Sequence, residues 1–472
     1  MNTNLSLAEQ REHLESFAQT EVAAPTRRVP RVAPADEPPV GLPDPLTARV
    51  AVVGLGYVGL PLVCGFSRNA QAIGFDIDAE KVGELTAGHD RTGEMADDEI
   101  AAANAIFTTD PALLGDADVV VVCVPTPVDA RNLPDYAPLL AASRTIGAHM
   151  RRGSVIVFES TVDPGATEAR CLPALEKASG LVEGRDFHLG YSPERINPAD
   201  PSRRLRDIKK IVAGRTPEAT AFLAELYARV VDAGLFPASS IKVAEAAKIL
   251  ENTQRDVNIA LMNQMMALFD KMGIRASDVI AAASSKWNFH NYRPGLVGGH
   301  CIAVDPYWLV DAGRRHGLAM ELVAASRAVN EATPYFVAEK LEDMLAQAGE
   351  RLDGKRILVL GRSFKEDCAD TRNSKAYKMM DYLWARGADV FNYDPVAHDD
   401  HFEGGRGVVA VDDPFEGGAY HAIVVTLGHT EFRERLTLDR LATLAPTGAP
   451  MLDLRGLYEA QGAADHFDYW RP

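Results

Sequence analysis

Four segments of the chain carry groups able to do covalent or proton chemistry. "GLVGGHCIAVDPYWLV", residues 295–310, places Cys301 four residues before Asp305, with Pro306 marking a helix that begins near the aspartate. "EAAKILENT" places Lys248 four residues before Asn252, so the two share one helix face. "ESTVDPG" supplies Thr161 and "SPERINP" supplies Glu194, each just past a strand-like run. Taken singly, each has an ordinary explanation: a threonine cap, a solvated lysine–asparagine face, an exposed glutamate, a cysteine filling a core. Cys301 is open to four roles: core filler, metal ligand, redox switch or nucleophile. The metal role fails for want of ligands at metal spacing, and the redox role is weakened by the lack of a partner thiol. Gly298 and Gly299 leave the backbone before the cysteine open to close approach of a ligand. His300 is adjacent, but loop neighbours seldom face each other, so no Cys–His dyad is expected. Core filler and nucleophile remain.

The elements that must position these groups are those of an α/β protein. "ARVAVVGLGYVG", "AQAIGFDID", "ADVVVVCVPTP", "SVIVFESTVDPG" and "FHLGYSPERINP" are apolar runs alternating with helical patterns. Such runs make a parallel sheet covered on both faces, with ligands at the carboxyl ends of the strands. A helix of about 30 residues follows from Ser240 to Gly273, long enough to link domains or form an oligomer seam. A second helical stretch runs from about Asp305 to Ala348. Then "GKRILVLGRSFKEDCADTRNSKAYKMMDYLWARGADVFNYDP" repeats strand, loop, helix and strand as a second, smaller α/β domain. The expected divisions are a disordered tail over 1–46, rich in proline at its end; a Rossmann-like cofactor domain over 47–238; a central helical region over 239–348; and a C-terminal Rossmann-like domain over 349–472.

The first strand runs straight into Gly54-x-Gly56-x-x-Gly59 and a helix, and Asp76 ends the next strand. The first glycine makes the tight turn, the second admits a pyrophosphate to the backbone, and the third lets helix and strand pack. The helix N-terminus supplies amide donors for phosphate, and Asp76 suits ribose hydroxyls while repelling a 2′-phosphate. This combination points to NAD. "VLGRSFKED", at the start of the second domain, lacks the triple glycine and is either a differently used nucleotide site or structure alone.

Composition narrows the classes. The 472 residues carry a net charge of −17 and no basic run, which excludes nucleic acid as a partner. No apolar run is long enough to span a bilayer and the N-terminus has no secretory pattern, so the expected compartment is cytoplasmic. Five dispersed cysteines (Cys64, Cys123, Cys171, Cys301, Cys368) without a CxxC pair fit neither a disulfide framework nor a zinc knuckle. An anionic ligand would have to meet local cations set against the global field.

"VAVVGLGYVGLPL", "VPTPVD", "ESTVDPGATE", "SPERINP", "EAAKILENT", "GGHCIAVDPYWL" and "FKEDCADTRNSK" occur in this order. Together they resemble the UDP-glucose/GDP-mannose dehydrogenase family over residues 48–460. "SPERINP", "SKWNF" and "GLVGGHCIAVDPYWL" resemble the branch acting on UDP-N-acetylhexosamines, UDP-GlcNAc or UDP-GalNAc, more than the UDP-glucose branch. The latter has a second acid where this chain has Pro198. Two departures from the branch pattern are Asp163, in place of an aromatic, and Ala199, in place of glycine.

The resemblance implies a two-step, NAD-dependent oxidation of a sugar C6 alcohol to the uronate for polysaccharide precursor synthesis. It implies that Cys301 adds to the aldehyde as a thiohemiacetal and becomes a thioester. Lys248 and Asn252 would steady the oxyanion, Asp305 with a water on Thr161 would remove the alcohol proton, and Glu194 would activate the hydrolytic water. Lys248 and the helix N-terminus near Asp305 are expected to favour the Cys301 thiolate. The implied cofactor contacts are Gly54, Gly56, Tyr57, Val58, Gly59, Asp76, Lys81, Pro125, Thr126, Ser160 and Thr161. The implied substrate contacts are Glu194, Arg195, Lys248, Asn252, Arg293, Gly298, Lys365 and Arg372, with Trp287 and Phe289 in the enclosing loop and Arg293 a candidate to cross a subunit boundary. A homodimer or higher homo-oligomer is expected, and no metal. The competing readings are a UDP-glucose 6-dehydrogenase, a single-oxidation dehydrogenase needing no cysteine, and a non-catalytic NAD- and nucleotide-sugar-binding protein.

Overall fold

A computed structural model describes residues 39–196, 204–397 and 407–472 of the chain. Residues 1–38 of the expected tail lie outside this range, as do Pro198 and Ala199. The last tail residues are tied to the first domain: Val40 N donates to Arg185 O at 2.9 Å, and Arg229 Nη1 to Pro45 O at 3.2 Å.

The first domain is built on eight strands in the order β3-β2-β1-β4-β5-β6-β7-β8. They are β1 (Val50–Val53), β2 (Ala72–Phe75), β3 (Ala105–Thr108), β4 (Val119–Val122), β5 (Val155–Phe158), β6 (His188–Tyr191), β7 (Lys210–Gly214) and β8 (Leu235–Pro237). The pairs are parallel except β6 with β7, which is antiparallel. Every residue of β1, β2, β4 and β5 is buried, and alternate positions feed opposite faces. Val53, Val120 and Val122 enter one core; Val50, Val52, Val119 and Val121 enter the other. That two-sided burial explains why these strands read as unbroken β-branched runs. Strands β3, β7 and β8 escape the sequence reading: β3 and β8 are the edge strands and only partly buried, and β7, though buried, opens on Lys210 and so lacks an unbroken apolar run.

The C-terminal sheet is all parallel, in the order β11-β10-β9-β12-β13-β14. Its strands are β9 (Arg356–Leu360), β10 (Asp389–Tyr393), β11 (Val408–Ala410), β12 (Ala422–Val425), β13 (Pro450–Asp453) and β14 (Asp468–Trp470). Both sheets therefore reverse direction beside their first strand, β1/β4 in one and β9/β12 in the other, and each reversal opens a crevice at the strand ends.

Five helices matter for the site: α1 (Gly59–Ser67), α2 (Ile241–Lys271), α3 (Asp305–Arg315), α4 (Glu321–Gln347) and α5 (Lys375–Ala385). Helix α2 starts and stops as its sequence predicts. Ser240 Oγ accepts from Val243 N at 3.2 Å, and Gly273 at φ +72° lets Ile274 N turn back to Phe269 O at 3.0 Å. The expected single helix over 305–348 is two. Gly317 at φ +75° ends α3, with Leu318 N bonding Gly313 O at 2.9 Å and Gly317 N bonding Arg314 O at 3.0 Å. Helix α4 then ties α2 to the C-terminal domain. Its Arg327 and Asn330 bond Asp256 on α2 at 2.5 and 2.7 Å. Its Glu331 meets Lys375 and Lys378 of α5, each at 2.6 Å.

Candidate active site

The dinucleotide turn is built as its glycines require. Gly54 adopts φ +93°, and a Cβ there would lie 2.7 Å from Cys123 O; one on Gly59 would lie 1.8 Å from Gly54 O. Gly56 has open space where a side chain would stand, leaving its backbone accessible to a phosphate. Val58 occupies the cap position of α1 and has helical backbone angles. Asp76, at the end of β2, is buried; it accepts from Leu55 N at 2.9 Å, Asp78 N at 3.0 Å and Lys81 Nζ at 3.0 Å. A fixed carboxylate, an unobstructed glycine and a helix start fit a dinucleotide. Pro125 and Thr126 follow β4, next to Ser160, whose hydroxyl donates to Val124 O at 2.7 Å. Thr161 comes next, half-buried.

At the carboxyl ends of β5 and β6 the chemistry-bearing groups converge. Glu194 lies three residues past β6, and its Oε2 accepts from Lys248 Nζ of α2 at 3.3 Å. One turn along α2, Asn252 Nδ2 donates to Asp305 Oδ2 at 2.6 Å. Asp305 heads α3, with its N–H on Cys301 O at 2.8 Å. All four residues are 5% exposed or less. Cys301 Sγ lies 3.6 Å from the hydroxyl of Tyr57, which belongs to the dinucleotide turn. The thiol is thereby joined to the cofactor crevice as well as to the lysine–asparagine face.

The electrostatics correct one expectation. Burial pushes the Cys301 thiol up to about 11; Lys248 and the Tyr57 hydroxyl pull it down, and Asp305 and Glu194 add to the rise. The thiol is therefore protonated at rest, because desolvation of a thiolate outweighs one lysine already shared with two acids. Burial also raises the Asp305 carboxyl to about 6, against the pull of Lys248 and the Asn252 amide. Burial opposes the Lys248 charge, but Glu194, Cys301 and Asp305 more than offset it and hold the ammonium above its ordinary value. Glu194 Oε1 is buried and makes no hydrogen bond among the described residues.

The glycines before the cysteine also serve a packing purpose that their openness alone does not reveal. A Cβ on Gly298 would stand 2.7 Å from Asn373 O, and one on Gly299 (φ +82°) 2.7 Å from the Phe364 ring. They admit the C-terminal domain's 364–373 loop, and Gly298 also lines a small cleft with Ser363, Ser374 and Thr426. His300 turns away from the thiol and meets Asp370 at 2.8 Å, the carboxylate that also holds Arg372 Nη2 at 2.8 Å. Lys365 sits on the same loop. The loop that carries Lys365 and Arg372 is thus packed against Gly298, Gly299 and His300, the residues that lead into Cys301. Arg195 is held elsewhere, by Glu251 at 2.6 Å and Lys209 O at 2.6 Å. Arg293 and Trp287 are exposed and Phe289 is half-buried on the loop following residue 284.

The Asp163 departure has a structural account: its buried carboxylate accepts from Tyr136 Oη and pairs with Arg315 at the end of α3. An aromatic there would leave Arg315 without that partner. Sequence reasoning missed the Tyr57–Cys301 contact, this Asp163–Arg315 link and a buried Glu159–Lys210 pair beneath Glu194. None is signalled by local spacing, since each joins residues from 51 to 244 positions apart. Among the described residues no group of acids, histidines and cysteines is arranged to hold a metal, and no helix is long and apolar enough to cross a membrane.

Comparison with known proteins supplies the context for this geometry. Family models match residues 48–231 (UDP-glucose/GDP-mannose dehydrogenase family, NAD binding domain), 242–332 (central domain) and 358–460 (UDP binding domain). The chain is 46% identical to Protein CapL of Staphylococcus aureus over 73% of its own length and 81% of the relative's. It is 42% identical to the UDP-N-acetyl-D-glucosamine 6-dehydrogenase of Pseudomonas aeruginosa over 87% and 97%. The solved UDP-D-ManNAc dehydrogenase of Pyrococcus horikoshii superposes with a TM-score of 0.80 at 29% identity, over 90% of this chain and 98% of that one.

Proposed function

The chain belongs to the UDP-glucose/GDP-mannose dehydrogenase family, with an NAD-binding first domain and a UDP-binding last domain, and from that premise we infer that it oxidises C6 of a UDP-N-acetylhexosamine twice, giving the uronate. The observation that carries this reading is the 3.6 Å contact between the Tyr57 hydroxyl of the dinucleotide turn and Cys301 Sγ. A single alcohol oxidation needs no nucleophile. A second oxidation does, because an aldehyde must first gain a covalent partner before another hydride can leave.

The chain's own groups divide the work. Asp305, oriented by Asn252, takes the C6 hydroxyl proton with a water held at Thr161. Cys301 sulfur then bonds the aldehyde carbon and its proton passes to the former carbonyl oxygen, giving a neutral thiohemiacetal. Lys248 steadies negative charge on that oxygen as its proton departs and the thioester forms. Glu194 activates water to hydrolyse the thioester. NAD⁺, when bound, accepts the hydride of each oxidation; Gly56, Asp76 and the α1 N-terminus would hold it. Lys365 and Arg372, cations on the C-terminal loop that packs on the segment leading into Cys301, suit the anionic nucleotide. The acetamido sugar is favoured over glucose by the named substrate of the Pseudomonas relative, and the uronate suits polysaccharide precursor synthesis. A homodimer through α2 is supported by Val243, Leu250, Leu261 and Leu268, exposed apolar residues along that helix. Its readout is the mass in solution.

The test is a panel of UDP-GlcNAc, UDP-GalNAc, UDP-ManNAc and UDP-glucose with NAD⁺, counting NADH formed per sugar consumed. Two NADH per acetamido sugar is expected, with Cys301→Ser unable to complete the second oxidation. One NADH per sugar, or full turnover by Cys301→Ser, refutes the covalent route.

A further inference from the structure

The mechanism above leaves unused the most deeply buried ion pair of the first domain among its described residues. Lys210, the first residue of β7, is 4% exposed, and Glu159, the first residue past β5, is 1% exposed. Their charged groups meet at 2.7 Å, and the second Glu159 oxygen accepts from Tyr227 Oη at 2.5 Å. Burying such a pair is a poor way to gain stability, since apolar side chains of similar volume commonly do as well or better. The pair therefore calls for a purpose in geometry.

That purpose is visible in the other hydrogen bonds of the ammonium. Lys210 Nζ also donates to Pro193 O at 3.1 Å and Ser192 O at 3.4 Å, the two carbonyls leading directly into Glu194. The same turn is fastened by Ser192 Oγ on Ile211 O at 2.7 Å, Ser192 N on Phe158 O at 2.9 Å and Glu194 N on Glu159 O at 3.4 Å. On the far side Arg195 is clamped to Lys209 O and Glu251. Glu159, Glu194 and Lys210 line one small cleft with Ile196, Leu205 and Ile208. The Glu194 side chain leaves this anchored turn with one oxygen on Lys248 and the other unbonded in a buried setting, where a water or acyl group would meet it.

We propose that Lys210, held by Glu159 and Tyr227, is a positioning residue that aims Glu194 at the water hydrolysing the Cys301 thioester. The proposal rests on the covalent reading of the preceding subsection. In the step concerned, the water oxygen bonds the acyl carbon and its proton goes to Glu194. The C–S bond breaks with its electron pair on Cys301 sulfur, which recovers a proton from Glu194, and the new carboxyl group loses its own proton to solvent. With Glu194 misaimed, both oxidations still proceed and only release of the uronate slows.

The test compares wild type, Glu194→Gln and the double variant Glu159→Gln/Lys210→Met, which removes both charges so that neither is stranded. Each is mixed rapidly with NAD⁺ and UDP-GlcNAc, following NADH and the intact mass of the protein. The double variant should give a burst of two NADH per site, then turnover at least tenfold below wild type, with an acyl adduct accumulating on Cys301 and KM for NAD⁺ unchanged. Glu194→Gln should show the same burst and adduct. If the double variant does not fold, Tyr227→Phe, which only loosens Glu159, carries the test with a smaller fall in turnover and the same adduct. A folded double variant with wild-type turnover, or one whose burst and turnover fall together without adduct, overturns the role of Lys210. Absence of burst and adduct in Glu194→Gln itself overturns the underlying covalent reading instead.

Discussion

The resting thiol gives the sharpest quantitative test of the site. With burial raising Cys301 to about 11, about 0.1% of it is thiolate at pH 8, against about a quarter of an ordinary cysteine with a pKa near 8.5. Ionisation alone therefore slows alkylation about 240-fold. The more basic thiolate is intrinsically the better nucleophile, by roughly 10- to 18-fold for a Brønsted slope of 0.4–0.5 over that difference. The net expectation is alkylation roughly 20 times slower than that of a free thiol at pH 8, before any steric shielding. The assay is iodoacetamide labelling of the apoenzyme from pH 7 to 10, read by mass spectrometry on the peptide that carries Cys301. The rate should climb about tenfold per pH unit with no plateau in that range. Lys248→Met removes a group that lowers the thiol's pKa, so labelling should slow further. A plateau near pH 7–8 that vanishes in Lys248→Met would refute this account and establish a resting thiolate–lysine pair.

Asp305 must be ionised to accept a proton, and burial places its carboxyl at about 6. Below that pH it is protonated, so kcat/KM should fall about tenfold per unit. Asn252→Ala removes a hydrogen bond that lowers the value, so the acid limb should move upward by about one unit, measured as a pH–rate profile. Gly299→Ala sets a side chain against the Phe364 ring at a left-handed φ. It should raise KM for the UDP-sugar and lower the melting temperature while leaving NAD⁺ affinity by calorimetry unchanged.

What was legible in the sequence was whatever depends on local spacing. The Gly54–Gly59 turn reads correctly because each glycine answers a backbone demand within the same strand–helix unit. Helix α2 reads correctly because Ser240 and Gly273 are chemical end signals. The break after α3 had the same kind of signal in Gly317, but the apolar pattern on both sides concealed it. Gly298 and Gly299 were only half legible, because openness in a sequence is equally room for a ligand or for another part of the chain; only the positions of Phe364 and Asn373 show the loop that packs there. The protonation of Cys301 was likewise beyond reach. Lysine and thiol are visible in the sequence, whereas the degree of desolvation that outweighs their attraction is a property of the packed site.

Helix α4 has a bearing on how such proteins recombine. Its first half, through Arg327 and Asn330, is bonded to Asp256 of α2, while its second half, through Val337, Leu341 and Leu345, lies inside the C-terminal core. The expected boundary at residue 349 is thus a boundary in sequence but not in packing. A chimera that imports a relative's C-terminal half from residue 349 onward would inherit one wall of a core whose opposite wall comes from another lineage. Crossover points that graft successfully should fall near the α3–α4 break at 316–320, with Asp256 and Asn263 matched to the incoming Arg327 and Asn330.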